Sequence, residues 1–259
     1  MEIVAVDWSG NATAAGQREH IWIAVVQDGV LIGLEAGRTR TEVIELLVVR
    51  ASAVPDMIVG LDFSFSFPAW FVEHHGAADV VTFWEIVERD GEGWLAACQP
   101  PFWGRPGTRR PDGPDQLRAT DRAFPPVGGI RPKSVFQIGG AGAVGTGTIR
   151  GVPHVLRLHK AGFAIWPFSP PRRPMVIEAY PRAMTGVVNK SSAAERAAFL
   201  DGWDIPRHLR PRAEQSDDAF DAAITALQMS RHLEELGALT QTTDPIARLE
   251  GTIWLPGTR

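Results

Sequence analysis

The stretch EIVAVDWSG, residues 2–10, decides the fold that we predict for this chain. Its apolar run IVAV is rich in β-branched residues and is typical of a strand buried in the centre of a sheet. The run ends on Asp7, and a carboxylate at the end of a buried strand is costly unless a cation meets it. We therefore expect a central first strand that carries an acid at its carboxyl end.

Three further segments repeat this association of acids with buried elements. MIVGLDFSF, residues 57–65, places Asp62 at the end of a strand, and MVIEAYP, residues 175–181, places Glu178 in another. QSDDAFDAAITAL, residues 215–227, reads as a helix that carries three acids. Its spacing puts Asp218 and Asp221, three residues apart, on one helix face, and Asp217 lies four residues before Asp221.

Acids that converge from several elements are typical of a divalent-metal site. Mg²⁺ and Mn²⁺ are hard cations that prefer carboxylate and water ligands. Two such ions about 3.5–4 Å apart can activate a water and stabilise the leaving oxygen in phosphodiester hydrolysis. We predict one or two Mg²⁺ or Mn²⁺ ions, with the following residues as both ligands and catalytic residues: Asp7, Asp62, Glu178, Asp218 and Asp221.

Each acid also has an ordinary structural alternative. The alternatives are capping of the long helix by Ser216 or Asp217, hydrogen bonding of Asp7 and Asp62 to the turns that follow them, and an ion pair of Glu178 with Arg182. A shared site explains with one cause why acids recur at the ends of the most strand-like segments.

The composition fits one domain with a long insertion. The chain has 259 residues, of which 44% are hydrophobic, so it can bury a full core. Its single cysteine, Cys98, excludes an internal disulfide and indicates a reducing compartment, so we expect a cytoplasmic protein. The chain enters a predicted strand directly and lacks an apolar run long enough to span a bilayer, so we expect no export and no membrane partner.

The order of elements predicts an α/β fold. Strands are expected over about residues 2–7, 20–27 and 30–35, with Asp28-Gly29 as a tight hairpin turn. A helix over about 40–52 and the strand MIVGLD follow. Further strands are expected at FAIW, MVIEAY and GTIW, and further helices at the following ranges: 69–76, 78–91, 153–161, 191–201 and 217–236.

The insertion, residues 99–151, is rich in Gly, Pro and Arg, and its aromatic residues favour an ordered segment over a flexible tether. The net charge of the chain is −4, yet residues 105–173 hold twelve Lys or Arg against three Asp. This basic stretch indicates a nucleic-acid substrate, DNA or RNA, although a solvated basic face is an equal alternative. The candidate substrate-binding residues are Arg131, Lys133, Gly140, Gly142 and Arg150.

The glycine-rich segment, residues 139–151, matches neither the Walker pattern nor the dinucleotide-binding pattern. It lacks GK[ST] and the strand–helix–strand spacing of GxGxxG. Its functional interpretation is a loop whose exposed amides receive a phosphate. Close backbone packing over the site is the structural alternative.

Taken together, these motifs resemble those of the domain of unknown function 429 (DUF429) family, whose members are predicted nucleases of the ribonuclease H-like fold. The resemblance covers nearly the whole chain. The matching segments are VAVDWSG, VGLDFSFSFP, SVFQIGGAGAVGTGTIRG, VIEAYPR, SDDAFDAAITAL and EGTIWLP.

The resemblance implies a mixed five-stranded sheet whose first three strands are antiparallel, flanked by helices. It implies that Asp7 is a principal metal ligand with the other predicted acids around it. Glu250 matches a further acid of the family pattern, as an outer ligand or a solvated charge.

The predicted function is therefore a metal-dependent nuclease, a hydrolase that cleaves phosphodiester bonds. An ATP-binding phosphotransferase is the alternative, because VDWSG also resembles the first phosphate loop of the actin and sugar-kinase superfamily. A catalytically silent nucleic-acid-binding protein is the third possibility, and it would show salt-dependent affinity without cleavage.

Overall fold

A mixed, open sheet forms the centre of the computed structural model, which describes residues 1–257. Within those residues the sheet has seven strands in the order β3-β2-β1-β4-β6-β5, and β7 also pairs with β6. The strands are β1 (Glu2–Asp7), β2 (Trp22–Gln27), β3 (Val30–Glu35), β4 (Met57–Leu61), β5 (Ala164–Ile165), β6 (Met175–Ala179) and β7 (Ile253–Trp254).

The first three strands are antiparallel, as predicted. Asp28 and Gly29 join β2 to β3 with positive φ angles of 50° and 82°, the backbone of a mirror-image hairpin turn. β4 then pairs parallel to β1, and β6 pairs parallel to β4. The carboxyl ends of β1, β4 and β6 therefore meet at one edge of the sheet.

The five-stranded sheet that the resemblance implies is wrong in number, whereas the seven strand segments expected from the order of elements are all strands. β5 pairs with the first half of β6 and β7 with its second half, so two short parallel strands share one side of β6. Each of these strands has two residues. A proline follows each closely, at Pro167 and Pro256, and proline cannot donate a ladder hydrogen bond.

Helices cover both faces of the sheet. They are α1 (Ala14–His20), α2 (Arg40–Ala53), α3 (Ala69–His74), α4 (Val80–Ala97), α5 (Ala119–Ala123), α6 (Gly145–Lys160), α7 (Pro181–Thr185), α8 (Ala193–Leu200), α9 (Arg210–Gln215), α10 (Asp217–Arg231), α11 (Leu233–Gly237) and α12 (Ala247–Glu250). In residues 1–257 no helix combines the length and the apolar character needed to cross a bilayer.

The glycine-rich segment is not a loop throughout, which corrects the prediction. Its second half forms the first two turns of α6, which we expected to begin near residue 153. Glycine is a poor helix former, but tertiary packing overrides that preference here. A side chain at Gly151 would collide with the Phe63 ring, and one at Gly145 would collide with the carbonyl of Val135.

Helix α10 lies across the sheet and brings its acids to the edge where β1 and β4 end. It packs on β1, β2 and β3, and its buried face contributes Phe220, Ile224 and Leu227 to the core. The approach is close at Gly60 of β4, where a Cβ atom would stand 2.6 Å from Met229 Sδ. The helix predicted over 217–236 is divided at His232 into α10 and α11.

The insertion is ordered, as predicted, and part of it belongs to the core. Phe102 and Phe136 pack in an aromatic cluster with Phe67 and Phe71. Arg118 has no exposed surface. The irregular part of the insertion therefore ends near residue 144, where α6 begins.

Candidate metal and phosphate site

Asp7 and Asp62 lie side by side where β1 and β4 end. The two strands are parallel neighbours, and the Asp62 N–H donates a 3.1 Å hydrogen bond to the Val6 carbonyl. Asp7 is buried and Asp62 is half-buried. The two carboxyl groups are close enough for the charge of Asp62 to raise the pKa of Asp7.

Helix α10 adds Asp218 and Asp221 to this pair. Ser216 caps the helix, because its hydroxyl oxygen accepts a 3.1 Å hydrogen bond from the Ala219 N–H. Asp217 is exposed. Asp221 is one turn further along and is only 6% exposed. Asp218 stands at the rim, with its Oδ2 atom 3.0 Å from His20 Nδ1. The capping alternative therefore applies to Ser216, and Asp221 belongs to the acidic cluster.

Burial and mutual repulsion disfavour ionisation of these carboxyls. Burial raises the pKa of Asp7 well above its ordinary value, and the charges of Asp62, Asp221 and Asp218 raise it further. Burial and the Asp221 charge raise the pKa of Asp62 to about 7. Burial raises the pKa of Asp221 to about 6, against the opposing effect of Lys190. A positive charge placed among these groups would favour their ionised forms.

Lys190 is such a positive charge, and sequence reasoning missed it. It lies in the segment between α7 and α8, and its Nζ contacts Asp221 Oδ2. Its charge also opposes the raised pKa values of Asp7, Asp62 and Asp218. No pattern in NKSS singles out this lysine, because its place depends on how α7 and α8 pack.

Glu178 has partners other than the predicted ones. Arg118 donates hydrogen bonds of 2.5 Å and 2.7 Å to its two carboxylate oxygens, and the Phe65 N–H donates a third of 3.1 Å. Arg118 also pairs with Asp121 at 2.8 Å, inside the core. Arg182 instead donates to the carbonyls of residues 186 and 188. Glu178 thus lies at the predicted edge of the sheet, but both of its carboxylate oxygens already bind a buried arginine, whose single charge is shared with Asp121.

Glu250 is a backbone anchor in this fold. It is buried, so it is not a solvated charge. Its two carboxylate oxygens accept hydrogen bonds from the N–H groups of Ala69, at 2.7 Å, and Ala119, at 2.5 Å. These bonds fasten the starts of α3 and α5 to the segment before β7.

A cavity of about 440 Å³ opens beside Asp62 and Glu178. Tyr180, the one tyrosine of the chain, forms part of its wall, and burial together with the Asp62 charge raises the pKa of that phenol. The turn after β1 forms another part through residues 8–11. Thr146 and Gly147, in the first turn of α6, face the same space. One wall is thus acidic, and another carries the partial positive charge of a helix N-terminus.

The predicted substrate-binding residues are only partly at this cavity. Lys133 lines it and donates a 3.1 Å hydrogen bond to the Ala141 carbonyl. Arg131 is exposed and donates to backbone carbonyls of the insertion. Gly140 and Gly142 lie in the turn that precedes α6, with φ angles of 78° and 70°, and are not part of the cavity wall.

Arg150 has a structural role. It donates to Glu92 at 2.6 Å and 2.9 Å and to the Gly10 carbonyl at 2.6 Å, so it joins α6 to α4 and to the turn after β1.

The basic stretch as a whole, residues 105–173, is partly neutralised. Half of its twelve basic residues pair with carboxylates: Arg118, Arg122, Arg150, Arg157, Lys160 and Arg173.

The chemistry of the acidic cluster fits a hard divalent cation. Asp7, Asp62 and Asp221 offer carboxylate oxygens from three different elements. Among the residues that the structure describes, none donates a hydrogen bond to Asp221 Oδ1, although this atom is buried. Within residues 1–257, the structure contains no group of three or more His, Cys, Asp or Glu side chains placed to hold a metal ion. The acids of the cluster are chemically suitable donors, but they are not arranged as a coordination sphere.

Comparison of the chain with protein-family models, with curated proteins and with solved structures finds no match.

Proposed function

We propose that this protein is a metal-dependent hydrolase that cleaves phosphodiester bonds in nucleic acid. One observation carries the proposal: Asp7 at the end of β1, Asp62 after β4 and Asp221 on α10 lie near a cavity, where the charges of Asp62 and Asp221 raise the pKa of Asp7 and the charge of Asp221 raises that of Asp62. Such a cluster is costly to a fold unless a cation uses it. The resemblance to predicted ribonuclease H-like nucleases supports the same activity.

Asp7, Asp62 and Asp221 would hold the ion, with Asp218 nearby at the rim. When bound, a divalent cation supplies an activated water and stabilises the charge that develops on the phosphate. The carboxylates fix that chemistry at the carboxyl ends of β1 and β4. Glu178, held by Arg118, shapes the cavity floor and orients the chain at Phe65.

The opposite wall of the cavity would receive the phosphate. Lys133 contributes a positive charge, and the first turn of α6 contributes the partial positive charge of backbone N–H groups. The exposed arginines of the insertion, Arg109, Arg110 and Arg131, carry further positive charge. This charge favours nucleic acid over a small phosphoester as the substrate.

The test is cleavage of a labelled panel of single-stranded, duplex, hybrid and branched nucleic acids with Mn²⁺, Mg²⁺ or EDTA. We expect cleavage that requires the metal and is lost in Asp7→Asn. Asp217→Asn is the matched control, because it makes the same change at an exposed acid of the same region and retains activity. Equal cleavage by the wild type and Asp7→Asn refutes the proposal.

One observation favours the phosphotransferase alternative. The cavity has the size of a small-ligand pocket, and the turn WSGN after β1 lines it. Titration calorimetry with ATP and Mg²⁺ separates the two functions. Saturable ATP binding without cleavage of any member of the panel assigns the cavity to a nucleotide.

A further inference from the structure

Another pocket, of about 400 Å³, opens between α3, the end of α4 and the insertion. Within residues 1–257 it shares no lining residue with the cavity beside Asp62 and Glu178. Aromatic residues and prolines form most of its wall, so we call it the aromatic pocket. An apolar wall with a few polar groups, in a pocket of this size, is typical of a small-ligand site.

One side of the aromatic pocket is a set of rings held by packing. The ring centroids of His75 and Trp94 lie 4.8 Å apart, and Trp94 stacks on Phe102 with centroids 5.8 Å apart and planes 24° apart. Burial lowers the pKa of His75, so its ring is uncharged at neutral pH. Trp70 Nε1 donates a 2.8 Å hydrogen bond to the Asp115 carbonyl, which ties α3 to the insertion. These rings offer flat faces to a planar ligand.

Gln116 is a buried polar residue in the wall of the aromatic pocket. It is 3% exposed, and in the part of the chain that the structure describes its Oε1 atom accepts no hydrogen bond. Its Nε2 donates to the Pro114 carbonyl at 3.3 Å, and the Ser134 hydroxyl donates to its backbone carbonyl at 2.7 Å. A buried amide oxygen without a hydrogen bond is costly. A ligand that brings an N–H donor would satisfy it.

The loop beside the aromatic pocket is basic. Residues 105–112 carry three arginines against one acid. Arg110 lines a smaller recess together with Asp112 and Gln116, which also line the aromatic pocket. Arg109 and Arg110 are exposed. Their charges suit a ligand that carries phosphate next to its ring.

We propose that the aromatic pocket binds a single nucleobase, which stacks on the ring wall and donates an N–H group to Gln116 Oε1. Every base has a planar face for stacking, and adenine, guanine and cytosine carry amino groups on the ring edge. A proline-rich peptide, which also docks on aromatic walls, suits the pocket less because proline lacks the N–H group.

The aromatic pocket and the candidate site are neighbours along the insertion. Gln116 lines the first, and Arg118, two residues later, lines the cavity of the second. A base held in the aromatic pocket has to be unpaired. The inference therefore deepens the proposed function, on which the choice of a nucleic-acid strand rests: it makes single-stranded nucleic acid the preferred ligand.

The experiment measures binding by titration calorimetry in EDTA, which prevents metal-dependent cleavage during the titration. The ligands are the free nucleosides, a single-stranded oligonucleotide, the duplex of the same sequence and a proline-rich peptide. We expect the wild type to bind the single strand more tightly than the duplex. His75→Ala removes a ring from the wall and should weaken single-strand binding about tenfold. Gln116→Met removes the amide and should weaken it about three- to tenfold.

Two matched controls make the same changes outside the aromatic pocket. Gln27→Met and His208→Ala alter exposed residues and should bind the single strand as the wild type does. His75→Phe keeps a ring in the wall and should retain binding. Circular dichroism establishes which variants fold. If Gln116→Met fails to fold, His75→Ala and His75→Phe still test the wall.

The outcomes separate this inference from the proposed function. Unchanged single-strand affinity in the folded His75→Ala and Gln116→Met variants overturns the inference. So does an equal loss of affinity for single strand and duplex, or binding of the peptide alone. Nucleoside binding as tight as that of the oligonucleotide, weakened by the same variants, supports a bound base and assigns it to a free nucleoside.

Cleavage and base binding can also fail separately. Base binding that these variants weaken, without metal-dependent cleavage of any nucleic acid, refutes the proposed function and keeps the inference. Metal-dependent cleavage without base binding at this pocket does the reverse.

Discussion

Arg118 and Glu178 form a buried, bidentate ion pair that joins the long insertion to the central sheet. Arg118 follows an irregular segment, whereas Glu178 lies on β6 between β4 and β7. A second carboxylate, Asp121, completes the partners of the guanidinium. The insertion is therefore fastened at the edge of the candidate site by charge as well as by aromatic packing.

Arg118→Met should lower the free energy of unfolding by about 3–5 kcal/mol, because it leaves two buried carboxylates without their cationic partner. Arg122→Met is the matched control. Arg122 pairs with Asp115 on the surface, and loss of an exposed pair costs about 0–1 kcal/mol. Urea denaturation of both variants checks the prediction. Equal destabilisation by the two changes would contradict a special role for the buried pair.

Gly10→Ala should destabilise the protein by about 1–3 kcal/mol and lower activity. A Cβ atom at Gly10 would lie 2.6 Å from the Gly147 backbone nitrogen, so the turn after β1 and the first turn of α6 would have to separate. Both elements line the cavity. The measurement is the unfolding midpoint together with the cleavage rate.

Gly93→Ala is the control for that change. Gly93 lies on the exposed side of α4 with no atom within 4 Å of its added Cβ, so alanine should stabilise the helix by about 0.5–1 kcal/mol. If Gly10→Ala also stabilised the protein, the close contact between the turn and α6 would not constrain the fold.

The acidic cluster predicts that the metal-free protein loses stability as the pH rises from 5 to 8. The pKa of Asp62 is about 7 and that of Asp221 about 6 in the folded protein, above the ordinary value of 3.8. The folded state thus binds these protons more tightly than the unfolded state. Their stabilising contribution is complete below pH 3.8 and is lost as the pH passes through 6 and 7.

Asp62→Asn should therefore raise the unfolding free energy at pH 8, by on the order of 1 kcal/mol, and flatten its dependence on pH. The measurement is chemical denaturation in EDTA at several pH values between 5 and 8. Asp204→Asn, at an exposed acid that does not contribute to these pKa shifts, is the control and should leave the slope as in the wild type. A slope that is unchanged in Asp62→Asn would show that this carboxyl does not titrate as described.

Lys133 and Arg150 should differ in what their loss impairs. Lys133→Gln removes a charge from the cavity wall, so we expect KM for the cleaved substrate to rise about three- to tenfold while stability stays unchanged. Arg150→Gln removes the bonds to Glu92 and to Gly10, so we expect a lower unfolding midpoint. Steady-state kinetics and thermal unfolding of both variants check this division. A larger KM effect in Arg150→Gln, without loss of stability, would return Arg150 to the substrate-binding set.

Local patterns in the sequence were enough to predict the elements that position the acids. The Asp28-Gly29 turn, the antiparallel β1, β2 and β3, and the placement of Asp7 and Asp62 at strand ends are consequences of short-range preferences. The first half of α10 also followed from helical spacing, which is why Asp221 was found.

The partners of these acids were not predictable in the same way. Arg118 and Lys190 come from irregular segments, and only tertiary packing brings them to Glu178 and Asp221. The start of α6 was misjudged for a related reason. Its glycines favour a loop when considered locally, but the fold requires small residues where α6 meets Phe63 and the turn after β1.

The separation of Asp7 and Asp221 along the chain has a consequence for synthesis. More than two hundred residues lie between them, and α10 must dock on the sheet before their carboxylates meet. A nascent chain still attached to the ribosome before α10 emerges has the strand that carries Asp7 but not the complete acidic cluster. The candidate site is thus one of the last features to form, so its chemistry becomes available only after nearly all of the domain has been translated.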